Sequence, residues 1–346
     1  MPTATYALDC WYFAALAGEV GRSLLHREIL ERPVLLFRTE AGQAVALEDR
    51  CPHRNVSLSL GKLEGDEVRC GYHGLCFGTR GQCTAIPGQQ TIPPKIYDIR
   101  AYPLVERYGY LWIWPGAADK ADPALIPDYA WQGEPGWTGQ SDVITMKVNY
   151  RLSLENTLDL SHVGYVHGEA LGATGEILTS PKVQVSNGEV SITRVRGNAR
   201  PGMMFRRTLG WERVDSRQVL RYRPPGYVTI EVAVRQTGDR ESRNLALHRV
   251  AGPITPATAS SHHHAVSSFR NFALDNARLT EVLVKQNRDL LAQDAVILED
   301  QQRMIERGLY QAPRLLASDE GSAAAIRLLD ALIASQTGMS VAAGAD

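Results

Sequence analysis

Two short loops near the start of the chain each carry one cysteine and one histidine. The first loop is Cys51-Pro-His53, and the second is Cys70-Gly-Tyr-His73. Two thiolates and two imidazoles suit a [2Fe–2S] cluster in which the cysteines ligate one iron and the histidines ligate the other. Only one or two residues separate the ligands of each pair, so each loop must bend tightly around the metal. The pattern predicts a site that carries single electrons.

Two other interpretations of these four residues remain. A structural zinc ion also accepts two cysteines and two histidines, in tetrahedral geometry. Zinc ligand pairs are usually separated by roughly two to four residues, and the single residue between Cys51 and His53 fits that spacing poorly. The third interpretation is four core residues without a metal. The spacing favours the cluster.

Length and composition indicate an ordinary globular protein with more than one domain. The 346 residues exceed what a single hydrophobic core usually supports. A formal net charge of −1 gives no reason to expect a nucleic acid or an anionic membrane as partner. No apolar run approaches the roughly 20 residues that span a bilayer, and a basic secretory signal is lacking, so we expect a cytoplasmic protein. The five cysteines argue against a disulfide framework, and Cys10, Cys76 and Cys83 are expected to be ordinary thiols.

The order of strand-like and helix-like segments predicts two domains. Between residues 6 and 114, short segments rich in β-branched and aromatic residues are broken by glycines, which indicates a small all-β domain. The segment 117–123 reads as a linker, and we place the domains at 1–118 and 119–346. In the second half, a helical segment over 153–167 precedes strand-like segments over 183–272. A long helix over 279–307 and a last helix over 323–335 follow.

Polar residues line one side of the predicted helix at 153–167. They are Asn156, Asp159, His162 and His167. On an ideal helix the two histidines lie about 140° apart, so the helix must loosen or bulge between them if both bind one ion. Gly164 lies in that gap. Two imidazoles and one carboxylate, with open positions left over, form the facial triad of non-heme iron(II) oxygenases.

The predicted long helix supplies a candidate for the carboxylate. Asp294 falls inside an apolar stripe, three residues after Leu291 and four before Leu298. An ionised carboxylate in such a stripe is costly to bury unless a cation meets it. Asp294 is therefore a better candidate ligand than the other carboxylates of this helix.

These motifs, in this order, resemble those of the Rieske non-heme iron oxygenases. The motifs are Cys51-x-His53 with Cys70-x-x-His73, then Asn156-x-x-Asp159-x-x-His162-x4-His167, then Gln293-Asp294. Segments 10–16, 86–89 and 270–272 look most like the group of vanillate O-demethylase, dicamba monooxygenase and toluenesulfonate methyl-monooxygenase. The resemblance implies an α+β fold, with an N-terminal all-β Rieske [2Fe–2S] domain. A helix-grip catalytic domain, similar to START and Bet v1 proteins, would follow with a curved antiparallel sheet and long C-terminal helices.

The resemblance also implies ligands and partners. Cys51, His53, Cys70 and His73 would hold the cluster, and a mononuclear Fe(II) would be held by His162, His167 and Asp294. NAD(P)H would supply electrons through a reductase, which carries a flavin and a ferredoxin-type [2Fe–2S] centre, or through a ferredoxin. The oxygenase would be a homotrimer in which electrons cross from one subunit's cluster to the iron of the next.

Two further residues receive a role from the same motif. Asp159 would bridge the two metal sites, accepting hydrogen bonds from its own His162 and from the partner subunit's His73. Asn156 would belong to the same catalytic group. Because a carboxylate would then orient a ligating imidazole at each end, its loss should stop turnover without releasing either metal.

The implied function is that of the terminal oxygenase in aromatic-compound catabolism. It would use O₂ to O-demethylate a small aromatic substrate or to hydroxylate one of its methyl groups. The resemblance to this group favours an aromatic acid as the substrate. The alternative within the family is a cis-dihydroxylating ring dioxygenase. Outside enzymes, the alternative is an electron carrier with a ligand-binding domain, although a carrier needs only about the first 118 residues.

A run of three histidines, His262-His263-His264, lies in a strand-like segment. Their side chains would alternate in direction along a strand, so at most two could face a substrate pocket. We expect them to be structural or surface residues.

Overall fold

The computed structural model describes residues 6–93, 95–168, 181–239 and 245–338. The chain forms two compact units, Met1–Pro127 with Thr255–Ala259, and Asp128–Ile254 with Ser260–Asp346. The domain boundary near residue 118 stays a prediction. None of the described helices is both long and apolar enough to cross a membrane.

Short antiparallel strands build the described part of the first unit. They are β1 (Tyr12–Leu16), β2 (Leu25–Ile29), β3 (Arg32–Arg38), β4 (Ala44–Glu48), β5 (Lys62–Glu64), β6 (Glu67–Arg69), β7 (Cys76–Phe77), β8 (Cys83–Ala85), β9 (Leu104–Arg107) and β10 (Tyr110–Ile113). Their sheets have the orders β1-β10-β9, β2-β3-β4 and β5-β6-β7-β8. The loop 51–53 follows β4, and the loop 70–73 connects β6 to β7.

The core of this unit reaches the two loops. Leu35, Phe37 and Phe77, each 0% exposed, pack in one cluster with Cys51 and Cys70. The cysteine end of each loop is therefore anchored in close-packed apolar side chains, which fix its position.

One large antiparallel sheet dominates the second unit. Its strands are β11 (Thr138–Met146), β12 (Lys182–Ser186), β13 (Glu189–Ala199), β14 (Val214–Arg223), β15 (Tyr227–Gln236), β16 (Ala246–Thr258) and β17 (Ser261–Arg270). The strand order is β11-β17-β16-β15-β14-β13-β12. Along β13, Val190 and Ile192 are buried while Ser191 and Thr193 are not, the alternation of a sheet with one covered face.

Helices cover that sheet. They are α1 (Tyr150–Leu158), α2 (Val163–Val166), α3 (Met203–Leu209), α4 (Ala277–Glu306) and α5 (Glu320–Thr337). The long helix α4 packs against β11, β17 and α1, and α5 packs against α1, β12 and β13. An all-β unit followed by an antiparallel sheet with C-terminal helices confirms the predicted α+β class.

The predicted helix over 153–167 is interrupted. α1 ends at Leu158, and Asp159 adopts an extended conformation with φ −104° and ψ 101°. A 3-10 turn over Leu160–His162 and the single turn of α2 follow. The expected loosening near Gly164 is therefore wrong in position, because the chain leaves the helical path before His162 and changes from 3-10 to α after it.

Candidate metal centres

The first candidate centre is formed by the loops 51–53 and 70–73. The Cys51 N–H donates to Val56 O over 2.9 Å, and the Cys70 N–H donates to Leu75 O over 2.8 Å. Each bond closes a tight turn at the cysteine. A Cβ at Gly71 would lie 2.8 Å from Leu60 O, so only glycine allows the second loop to pass this close to neighbouring backbone.

Within this centre the thiols and the imidazoles form separate pairs. Cys51 and Cys70 are 1% and 2% exposed, and a hydrogen bond joins their side chains. Burial raises the pKa of the Cys51 thiol, and the Cys70 thiol raises it further. His53 and His73 are exposed, with ring centroids 4.5 Å apart. Two cysteines on one side and two histidines on the other are the arrangement that a [2Fe–2S] cluster with mixed ligands requires.

The same arrangement disagrees with the zinc interpretation. A tetrahedral zinc site brings all four ligand atoms around one point. Among the described residues, the set of three or more ligand atoms that lie within 4.8 Å of one another is His162, His167 and Asp294. The four residues of the first centre do not converge in this way.

The second candidate centre brings together three residues that are distant in sequence. His162 ends the 3-10 turn, His167 follows α2, and Asp294 lies in the middle of α4. Asp294 Oδ1 is 3.0 Å from His167 Nε2 and 3.5 Å from His162 Nε2. His167 and Asp294 are 4% and 7% exposed. The structure therefore places the three predicted ligands around a common point.

Hydrogen bonds orient both imidazoles toward that point. His162 Nδ1 donates to the backbone oxygen of Asp159 over 2.6 Å, and His167 Nδ1 donates to Gln293 Oε1 over 2.8 Å. Because each Nδ1 faces an acceptor, it carries the ring proton, and each Nε2 presents a lone pair. This is the tautomer that a metal ligand needs.

The environment of the Asp294 carboxylate indicates whether a cation fits at this centre. Its Oδ1 is buried, faces both Nε2 atoms and has no hydrogen-bond partner among the described residues. A buried carboxylate oxygen without a donor costs free energy, and three lone-pair donors at one point repel one another. A cation would remove both penalties. Two imidazoles and a carboxylate fit Fe(II), with positions left for other ligands.

The structure places Asp159 differently from the expectation for this centre. Its carboxylate accepts hydrogen bonds from Ser161 N over 2.8 Å and Ser161 Oγ over 2.6 Å. His162 is bonded to its backbone oxygen and not to the carboxylate. Asn156 lies in α1, one turn earlier.

No role was assigned from the sequence to two residues near this centre. Gln293, quoted only as part of a motif, orients His167. Arg194 on β13 lies near Asp159. Burial lowers the pKa of Arg194, and the negative charge of Asp159 partly opposes that shift. For Gln293 the signal was its position beside Asp294, whereas nothing in the sequence marks Arg194.

Comparisons with known proteins cover both units. Residues 10–103 match the Rieske [2Fe–2S] domain family, and residues 146–335 match the vanillate O-demethylase oxygenase C-terminal domain family.

Several characterised proteins are similar over nearly the whole chain. The toluene-4-sulfonate monooxygenase system iron-sulfur subunit of Comamonas testosteroni is 34% identical over 95% of this chain and 98% of its own length. The vanillate O-demethylase oxygenase subunit of a Pseudomonas species is 33% identical over 95% of both chains. The crystal structure of dicamba monooxygenase bound to 3,6-dichlorosalicylic acid superposes with a TM-score of 0.89, at 30% identity, over 96% of this chain and 99% of the other.

Proposed function

This chain belongs to the Rieske non-heme iron oxygenases with a vanillate O-demethylase type C-terminal domain, and from that premise we propose its reaction and assembly. As the oxygenase component, it uses O₂ and electrons from a reductase or ferredoxin to oxidise a methyl group of an aromatic substrate. Relatives named for vanillate, dicamba and toluene-4-sulfonate support an aromatic acid as the substrate. Hydroxylation of a methoxy carbon gives a hemiacetal, which collapses to a phenol and formaldehyde.

One observation carries the proposal: two imidazole nitrogens converge with a buried carboxylate oxygen that accepts no hydrogen bond from any described residue, in the same chain that holds a Rieske domain. Cys51, His53, Cys70 and His73 would hold the [2Fe–2S] cluster. His162, His167 and Asp294 would hold Fe(II). When bound, the two groups supply electron transfer and O₂ activation.

The protein's own residues prepare the iron site. Gln293 and the backbone oxygen of Asp159 hold the protons of the two imidazoles on Nδ1, away from the metal position. Asp294 is 7% exposed and lies on α4 between Leu291 and Leu298, which pack in an apolar cluster with Met146 and Leu152. Low polarity there strengthens the attraction between the carboxylate and a cation.

We place electron entry at a subunit interface of a homotrimer. The exposure of His73, together with Tyr72, which is 63% exposed and lies 3.8 Å from its ring, supports a partner surface at this loop. On the other side of that interface, Asp159 would lie on the electron path between the cluster and the iron. Arg194 lies near its carboxylate. The cytoplasm stays our prediction for the compartment.

Iron analysis tests the proposal against the electron-carrier alternative. We expect about three irons per chain, two in the cluster and one at the triad. Two irons per chain would support a carrier. Formaldehyde release from a panel of methoxylated aromatic acids, with a reductase present, then separates demethylation from cis-dihydroxylation, which releases no formaldehyde.

A further inference from the structure

Two buried histidines of β17 have ring nitrogens that find no hydrogen-bond partner within the described part of the chain. His262 is 0% exposed and His264 is 4% exposed. His262 Nε2 and His264 Nδ1 have no partner among the described residues. Of the two roles expected from the sequence, structural or surface, the surface role is therefore wrong. A purely structural role leaves two polar atoms unexplained.

The two side chains point to the same face of the sheet. In the antiparallel pairing of β11 with β17, His264 lies opposite Ile144 and His262 lies opposite Met146. Residues directly opposite each other project to the same side. His263, the residue between them, instead pairs with Thr145 and bonds to its Oγ1 over 2.9 Å on the other face.

That face is the one that α4 covers. Ile144 and Met146 pack in a cluster with Leu291 and Leu298 of α4. Asp294 lies between these two leucines on the same helix and on the same stripe. The unpartnered imidazole nitrogens therefore face the layer of the unit that contains the candidate iron ligands.

The hydrogen bond of His262 determines which of its ring nitrogens carries the proton. Its Nδ1 lies 2.8 Å from Val148 O, which can only accept, so Nδ1 carries a proton. Burial lowers the pKa of His262 to about 4, so the ring is neutral near pH 7 and Nε2 has no proton. His262 Nε2 is therefore an acceptor that needs a donor.

His264 complements it. Burial lowers the pKa of His264 to about 3, so this ring is also neutral, and with its single proton on the unpartnered Nδ1 it presents an N–H donor. Its ring lies above Gly252 of β16, where a Cβ would approach its Nε2 to 3.1 Å. The ring centroids of His262 and His264 are 6.2 Å apart. The pair thus offers an acceptor and a donor, and it offers no positive charge.

We propose that His262 and His264 form a neutral hydrogen-bonding subsite that recognises a hydroxyl group on the aromatic substrate. A hydroxyl both donates and accepts, so it satisfies His262 Nε2 and a His264 N–H together. A carboxylate is disfavoured there because it would face the His262 lone pair. The inference rests on the proposed function, and it adds a hydroxylated aromatic compound as the substrate class.

Binding of matched compounds tests the proposal without turnover. The probes are 3-methoxybenzoate and its analogues with a hydroxyl at ring position 2, 4 or 5, titrated calorimetrically into the iron-loaded protein without O₂. We expect the best hydroxylated analogue to bind about 10- to 100-fold more tightly than 3-methoxybenzoate, the range expected for satisfying buried polar groups. His264→Phe should abolish this preference while the affinity for 3-methoxybenzoate changes little.

Three variants keep the test independent of folding. His264→Asn retains a polar group near the Nδ1 position and should restore part of the preference. Gly252→Ala should displace the His264 ring and weaken the preference without removing a polar group. His263→Phe, on the opposite face, is the matched control and should keep the wild-type preference.

The outcomes separate this inference from the proposed function. Equal affinity for all four compounds overturns the subsite. A preference that survives His264→Phe also overturns it, because the two nitrogens would then be satisfied by water and not by the substrate hydroxyl. If formaldehyde is still released from 3-methoxybenzoate in either case, the proposed function stands. Absence of the third iron and of formaldehyde from every compound overturns the proposed function itself.

Discussion

We expect Asp294→Asn to be more stable than the wild type without iron and less stable than the wild type with iron. In the iron-free protein, Asp294 Oδ1 is buried against two Nε2 lone pairs at 3.0 and 3.5 Å, and no described residue donates a hydrogen bond to it. An amide of the same shape can donate to these nitrogens. Satisfying a buried polar site of this kind is worth about 1–3 kcal/mol. The free energy of unfolding of iron-free Asp294→Asn should therefore exceed that of the iron-free wild type by about that amount.

Iron should invert the order. At a free Fe(II) concentration about 1,000 times the Kd, binding stabilises the wild-type protein by about 4 kcal/mol. Asp294→Asn lacks the anionic ligand and should gain only a small part of this. The assay is anaerobic urea unfolding of the second unit, followed by intrinsic fluorescence, with and without Fe(II).

The matched control is Asp300→Asn on the same helix. Asp300 is exposed and pairs with Arg303 over 2.7 Å, and such solvent-screened surface pairs contribute little to stability. This variant should lose a little stability and keep the full response to iron. If iron-free Asp294→Asn is less stable than the wild type, or gains as much from iron, the assignment of Asp294 as an iron ligand is wrong.

Three other substitutions probe the rest of the two centres. Gln293→Leu removes the acceptor of His167 Nδ1 and should weaken Fe(II) binding about 10- to 100-fold, measured by competition with a chelator; unchanged affinity would refute its orienting role. Asp159→Asn should retain iron and cluster, by metal analysis and absorbance, while product formation stops, and normal turnover would contradict the proposed electron path. Cys51→Ser should lose the visible absorbance of the cluster but keep the triad iron, and a full cluster in this variant would exclude Cys51 as a ligand.

The sequence predicted the ligands better than the backbone that presents them. Asp294 could be found because a carboxylate inside the apolar stripe of Leu291 and Leu298 conflicts with burial, and the structure shows it buried. The interruption at Asp159 could not be found in the same way. Helical periodicity continues through 153–167, whereas the extended conformation at Asp159 is held by hydrogen bonds from Ser161 to its carboxylate.

The histidine run shows a second limit. Alternation along β17 correctly predicted that His263 points away from His262 and His264. Burial of all three was missed because histidine occurs in partly exposed positions. The pairing of β17 with β11, and for His262 and His264 the cover by α4, remove them from water. The orienting bond from His167 to Gln293 likewise joins residues far apart in sequence, which no local pattern can report.

The position of Asp294 in α4 also sets the order in which the chain completes its metal sites. All four residues of the first centre lie within 51–73, in a unit made almost entirely from the first 127 residues. The second centre needs His162 and His167 from one segment and Asp294 from a helix near the carboxyl end. During synthesis, a ribosome-bound chain therefore has every cluster ligand long before it has a complete iron site. Iron held by all three residues would also close a loop longer than one hundred residues and so tie α4 to the segment that carries His162 and His167.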